Sequence, residues 1–171
     1  MVVTECPSDP VDGGRLAELY ARHAPAAVRL AYLLTGDRAL AQDIVQEAFV
    51  RVVGRFHDLR NRDSFEWYLR RVVVNLANSH FRRLKVERAY LRREARSPAE
   101  PADAPDIETR EEMWGVLQSL PERQRAAIVL RYYEYLTEAQ TAEVLRCPVG
   151  TVKSLVSRGL ERLRDQFPAR G

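Results

Sequence analysis

The chain has 171 residues, 46% of them hydrophobic and 30% charged, a balance that excludes a disordered polymer and leaves room for one domain or two small ones. No apolar run approaches the ~18 to 20 residues of a membrane span, and residues 1–13 lack the basic and apolar regions of a signal peptide. Two cysteines, Cys6 and Cys147, are too few for a disulfide framework, so the expectation is a cytoplasmic protein, and the net charge of +3 conceals an uneven distribution.

Residues 1–13, with Pro7, Pro10 and Gly13, read as a frayed tail. From Arg15, apolar residues recur at helical spacing through Leu16, Leu19, Tyr20, Val28, Ala31 and Tyr32, and Pro25 is expected to kink that helix or restart it. Gly36 ends it. Asp37 then caps a helix whose stripe is Leu40, Ile44, Val45, Ala48 and Val52. Residues 54–63 break the period and read as a loop, after which Ser64 caps a long helix reaching about Arg93. Residues 60–96 carry a net charge of +7, against −2 for residues 1–59. Between Ser97 and Asp106, three prolines among alanines and acids form a linker, and residues 97–112 are net −5. Beyond it come a helix over 107–120, a break at Pro121, a helix through Tyr133 and two short helices around Cys147 and Pro148. Residues 113–171 are net +3, so the charge pattern suggests two polyanion-facing lobes joined by an acidic tether. No alternating strand pattern of useful length occurs, and the expected fold is all-α, in two small helical domains joined by a flexible linker.

Wound at 100° per residue, the long helix sets Leu69, Val72, Val73, Leu76 and Leu84 on one face and Trp67, Arg71, Asn75, Asn78 and Arg82 on the other. Aromatic rings stack on unpaired bases, Arg neutralises phosphate and Asn reads base edges, so the second face suits single-stranded DNA. The plain alternative is a solvated helix face with the tryptophan tucked under a loop. Farther on, Leu136–Leu145 forms a short helix, residues 146–150 turn, and a helix from Thr151 is anchored by Val152, Val156, Leu160 and Leu163. That leaves Lys153, Ser154, Ser157, Arg158 and Glu161 outward, the plan of a helix-turn-helix whose second helix enters the major groove. The alternative there is a simple helical hairpin. Cys147 reads as a small apolar filler at the turn.

Several motifs, in both halves of the chain, carry a family likeness. Leu120-Pro121-Glu122-Arg123-Gln124-Arg125, Val129-Leu130-Arg131-Tyr132-Tyr133, Gly150-Thr151-Val152-Lys153-Ser154 and Ser157-Arg158 resemble the C-terminal domain of extracytoplasmic-function sigma factors of the sigma-70 family. Residues 41–49 resemble these factors' polymerase-docking segment, and Phe65, Trp67, Asn75, Arg82 and Arg83 their promoter-melting helix. The resemblance is to the actinobacterial type, and the abundance of arginine and alanine, with lysine only at Lys85 and Lys153, points to a GC-rich genome.

The resemblance implies a region 2-like domain over 14–95, a linker over 96–107 and a region 4-like domain over 108–171. Asp43, Gln46 and Glu47 would then meet the polymerase clamp. Trp67, Arg71, Asn75 and Asn78 would face the melted −10 strand, Arg82 and Arg83 its phosphates, and Thr151, Lys153, Ser154, Ser157 and Arg158 the −35 duplex. Implied partners are core RNA polymerase, promoter DNA and, with no sizeable domain after Arg164, a separate anti-sigma factor.

The sequence departs from the family in three places. Arg146 stands where a turn glycine is common, Leu155 replaces a commonly basic residue, and Asn78-Ser79 stands where many members have aspartate. A stand-alone helix-turn-helix regulator would need neither the docking segment nor the tethered layout, and a sigma-mimicking regulator would lack the basic faces. An enzyme, cofactor, metal or small-molecule substrate is not expected. His23, His57 and His80 lack ligand spacing, there is no phosphate-binding glycine loop, and Asp43 with Glu47 has no Glu-x-x-His partner.

Overall fold

The computed structural model describes residues 13–55, 62–94 and 110–166. Residues 1–12 of the expected tail over 1–13, most of the loop and the linker over 96–107 lie outside them, and Gly13 already belongs to the first helix. The described residues form seven α-helices and one π-helical turn, with no strand.

Helix α1, Gly13–Thr35, buries Leu19, Ala24, Ala27, Leu30, Ala31 and Leu34. The helix does not restart at Pro25 but runs on through it. Proline removes only the N–H that would bond the Ala21 carbonyl, and both residues are exposed, so solvent can satisfy that oxygen. Gly36, at φ +70°, turns the chain and donates to the Tyr32 carbonyl at 2.8 Å. The Asp37 carboxylate then accepts from the Leu40 N–H at 3.0 Å, capping helix α2, Arg38–Val53, as the sequence suggests.

Helix α3 spans Arg62–Glu94. It begins two residues before Ser64, which therefore lies inside the helix rather than capping it. Leu69, Val73 and Leu76 are buried as expected, whereas Val72 and Leu84 are only half-buried. Phe65, Val74 and Ala77, all with no exposure, widen the apolar stripe and key α3 against α1 and α2.

The second lobe begins with α4, Arg110–Ser119, and α5, Glu122–Ile128. A π turn follows over Val129–Tyr133, where the Glu134 N–H reaches back five residues to the Val129 carbonyl at 3.0 Å. Tyr135, at φ +54°, then redirects the chain and drops Leu136 into the core. Helix α6, Glu138–Leu145, opens on a capping box in which Thr137 and Gln140 satisfy each other's backbone N–H groups. Helix α7, Val149–Gln166, starts two residues before Thr151, so Gly150 is helical and the turn is correspondingly shorter than the sequence suggests. At Gly159 a Cβ would come within 2.5 Å of Ile128 Cδ1, which explains how closely α7 crosses α5.

The two lobes pack against each other, and apolar residues from both form one continuous core. Arg125 is the polar joint. Its buried guanidinium donates to the carbonyls of Leu117 at 3.0 Å, Gln118 at 3.1 Å and Leu120 at 3.0 Å, and across the lobes to that of Leu34. It also lies 5.4 Å from the centroid of the Phe81 ring. Burial pushes its pKa below the usual value, while Glu122 opposes that shift. One cation thus closes the C-terminal ends of α1 and α4 together.

Candidate nucleic-acid interfaces

The polar face of α3 meets the end of α2 in an open cleft of about 660 Å³, lined by Arg51 of α2, Arg55 just beyond it, Tyr68, Arg71 and Asn75 of α3, and Arg146 of the second lobe. Arg55 donates to the Tyr68 hydroxyl at 2.9 Å, and Arg51 pairs with Glu47 at 2.5 Å. Guanidinium forks suit phosphate, and an amide beside a half-buried ring can meet a base, so the cleft has the chemistry of a single-strand site.

Of the residues the sequence points to, Arg71 and Asn75 line this cleft. Asn78 is half-buried farther along α3. Arg82 and Arg83 are exposed and border a second shallow groove with Val86 and Tyr90. Trp67, read from the helical wheel as an exposed ring, is half-buried and packed against the core, and Phe65 is wholly buried. Any contact of Phe65 with DNA is therefore indirect, through the packing that sets α3. Arg51, Arg55 and Tyr68 were missed. Arg51 lies in the last turn of α2, Arg55 falls within the stretch over 54–63 read as loop, and Tyr68 falls between the two faces of the α3 wheel.

The second face is carried by α7. Val152 is fully buried, with Val156, Leu160 and Leu163 half-buried, and this anchors the helix. Lys153, Ser154, Ser157 and Arg158 are exposed, and Thr151 is half-buried. Lys153 sits 3.7 Å from Glu138, and the Ser154 hydroxyl donates back to the Gly150 carbonyl at 3.1 Å. Leu155 is half-buried against the core, which accounts for an apolar residue amid the polar face. Arg146 holds the turn in the left-handed region at φ 52°, ψ 50°, the strain expected of a non-glycine there. Cys147 is half-buried against the core.

On α2, Asp43, Gln46 and Glu47 are all exposed, and Val50 adds 75% exposed apolar surface one turn on. Among the described residues no group of three or more His, Cys, Asp or Glu side chains converges as a metal site. No helix there is long and apolar enough to cross a membrane.

The family described as "Sigma-70 region 2" matches residues 19–87, and "Sigma-70, region 4" matches residues 110–163. The RNA polymerase sigma-E factor of Streptomyces coelicolor is 34% identical over 145 residues, covering 85% of this chain and 81% of that protein. The chain belongs to the extracytoplasmic-function sigma factors. The ECF sigma factor SigW of Bacillus subtilis is 31% identical over 81% of each chain. The fold agrees with the sigma factor RpoE crystallised with the anti-sigma factor NepR from Bartonella quintana, at TM-score 0.67 and 21% identity over 92% of this chain and 99% of that one. The all-α fold with a C-terminal helix-turn-helix is thus that of a sigma factor, with α1–α3 supplying region 2 and α4–α7 region 4.

Proposed function

We propose that this sigma factor directs core RNA polymerase to a particular set of promoters, using the α3 cleft for the melted −10 strand and the exposed face of α7 for the −35 duplex. The observation that carries the reading is the pairing, in one chain, of an arginine- and asparagine-lined cleft in region 2 with a helix-turn-helix in region 4. Asparagine and the aromatic rings suit unstacked bases, while Lys153 and Arg158 suit guanine edges and phosphates in a major groove. Asp43, Gln46 and Glu47, exposed beside Val50, form the polymerase-facing stripe. Arg82 and Arg83 hold backbone phosphates beyond the cleft.

The reading places the protein in the cytoplasm with the transcription machinery, as an initiation factor without catalysis of its own. Solved relatives in complex with anti-sigma factors favour the same kind of regulator here. A stand-alone regulator is less favoured, because the region 2 lobe has no role in it.

The test combines the purified chain with bacterial core polymerase and a library of genomic fragments, and sequences the transcripts. Start sites sharing −10 and −35 motifs are expected, with Asn75→Ala and Lys153→Ala each reducing their use. Duplex binding by the chain alone, with no promoter-directed transcript, would overturn the reading.

A further inference from the structure

The first turns of α7 carry a single cation. Between Arg146 and Arg158 the chain has no basic residue but Lys153, so the partner Lys153 takes decides what that end of the helix reads. Lysine is a flexible point charge with three donors, and by itself it grips a phosphate as readily as a guanine edge. Only the second contact carries sequence information.

The structure gives Lys153 a neighbour that separates these two outcomes. Its ammonium lies 3.7 Å from a carboxylate oxygen of Glu138, the first residue of α6. That distance is beyond a hydrogen bond, and the side chains are 63% and 41% exposed. The pair therefore restrains the ammonium and leaves its donors open to DNA. The same end of α6 is closed to phosphate. Thr137 and Gln140 engage each other's backbone N–H groups at 2.8 and 3.1 Å, and Glu138 adds a negative charge beside them. A phosphate on Lys153 would face that carboxylate, whereas O6 and N7 of guanine are neutral acceptors and meet far less repulsion.

We infer that Glu138 is a positioning residue for −35 specificity, holding Lys153 on guanine edges and off the phosphate backbone. This rests on the proposed role of α7 in reading the −35 duplex. The carboxylate lowers affinity for every duplex, and lowers it most for those that offer Lys153 nothing but phosphate.

The test uses holoenzyme reconstituted from core polymerase and the full chain, on a promoter found by transcript sequencing and then randomised over its −35 element. The unmodified chain is expected to favour guanine at one −35 position, on either strand, by about tenfold. Glu138→Gln should cut that preference to about threefold or less and raise transcription from the poorest −35 sequences. It should also steepen the fall of holoenzyme binding with salt by about one unit of log–log slope, because the released ammonium then displaces a counterion from a phosphate. Glu138→Asp keeps the charge and should restore most of the preference and the parent slope. In a Lys153→Met background the guanine preference is absent, and adding Glu138→Gln should change neither readout.

A preference and a salt slope unmoved by Glu138→Gln would overturn the inference. So would the same response in the Lys153→Met background, since the carboxylate would then act without Lys153. Loss of transcription from all −35 sequences alike, at the parent slope, would assign Glu138 to the start of α6 alone and refute it as well. If the unmodified chain gives no promoter-directed transcript, the sigma reading and this inference fall together. Normal promoter use by the parent with an inert Glu138 sinks the inference only.

Discussion

Replacing Arg125 with alanine removes one cation from four carbonyls, those of Leu34, Leu117, Gln118 and Leu120. A hydrogen bond to a charged group contributes ~1.5–3 kcal/mol, so the gross loss is large. It is partly offset, because the variant no longer buries a guanidinium and solvent can enter the space left behind. The expected net destabilisation is ~3–5 kcal/mol, a substantial part of the ~5–15 kcal/mol that holds a typical domain folded. Urea unfolding followed by circular dichroism at the helical band measures it directly. Arg125→Lys should recover less than half of the loss, since an ammonium cannot fork between the ends of α1 and α4 as a planar guanidinium does. An alanine variant within ~1 kcal/mol of the parent, or a lysine variant equal to it, would refute the account of Arg125 as the joint between lobes.

Other positions give sharper local tests. Gly36→Ala should destabilise by ~1–2 kcal/mol in the same urea assay, because φ +70° disfavours a side chain and the new Cβ would lie 2.7 Å from Gln118 Cδ. Gln118 would then lose its bond to the Leu33 carbonyl, so loosening of the α1–α4 contact should accompany the loss. Arg146→Gly should raise stability by about 1 kcal/mol, by relieving the left-handed strain at the helix-turn-helix, with a higher thermal midpoint as readout. For Glu122, burial favours the neutral carboxyl, but the Lys85 hydrogen bond, the residue's own backbone N–H and the charges of Lys85 and Arg125 outweigh it and hold the pKa below its ordinary value. A lowered carboxylate pKa stabilises the fold above the unfolded value and is lost as pH falls through the folded one. Lys85→Met should therefore raise the Glu122 titration midpoint in NMR and shrink the acid-side loss of stability; an unmoved midpoint would show that Lys85 does not set it.

The helices were legible wherever local chemistry decides them. The Asp37 cap, the Gly36 stop, the α2 stripe and the anchors of α7 all follow from spacing and side-chain type, and the structure bears them out. The failures came where the deciding force is solvent or tertiary packing. Pro25 and Ala21 are both exposed, so the carbonyl that proline leaves without its N–H faces solvent and α1 continues without a restart. Ser64 is a good cap by type, but α3 starts before it, and Val149 and Gly150 join α7 although Pro148 and glycine together read as turn. Trp67 shows the limit of a helical wheel. Angle alone sets it opposite Leu69 and Val73, yet a large ring at the margin can fold back onto the core, and it does.

Contacts between lobes were the least legible, because they join residues far apart in sequence. Arg125 belongs to a recognisable run in the sequence, but nothing local says that its side chain reaches the Leu34 carbonyl. The charge pattern carried more than it disclosed. A segment of net +7 reads as a nucleic-acid face, and the same charge draws Glu134 and Glu143 in the folded chain. Because the sign of a patch specifies a class of partner and not which one, an arginine that reads as a phosphate contact suits a carboxylate of its own chain equally well.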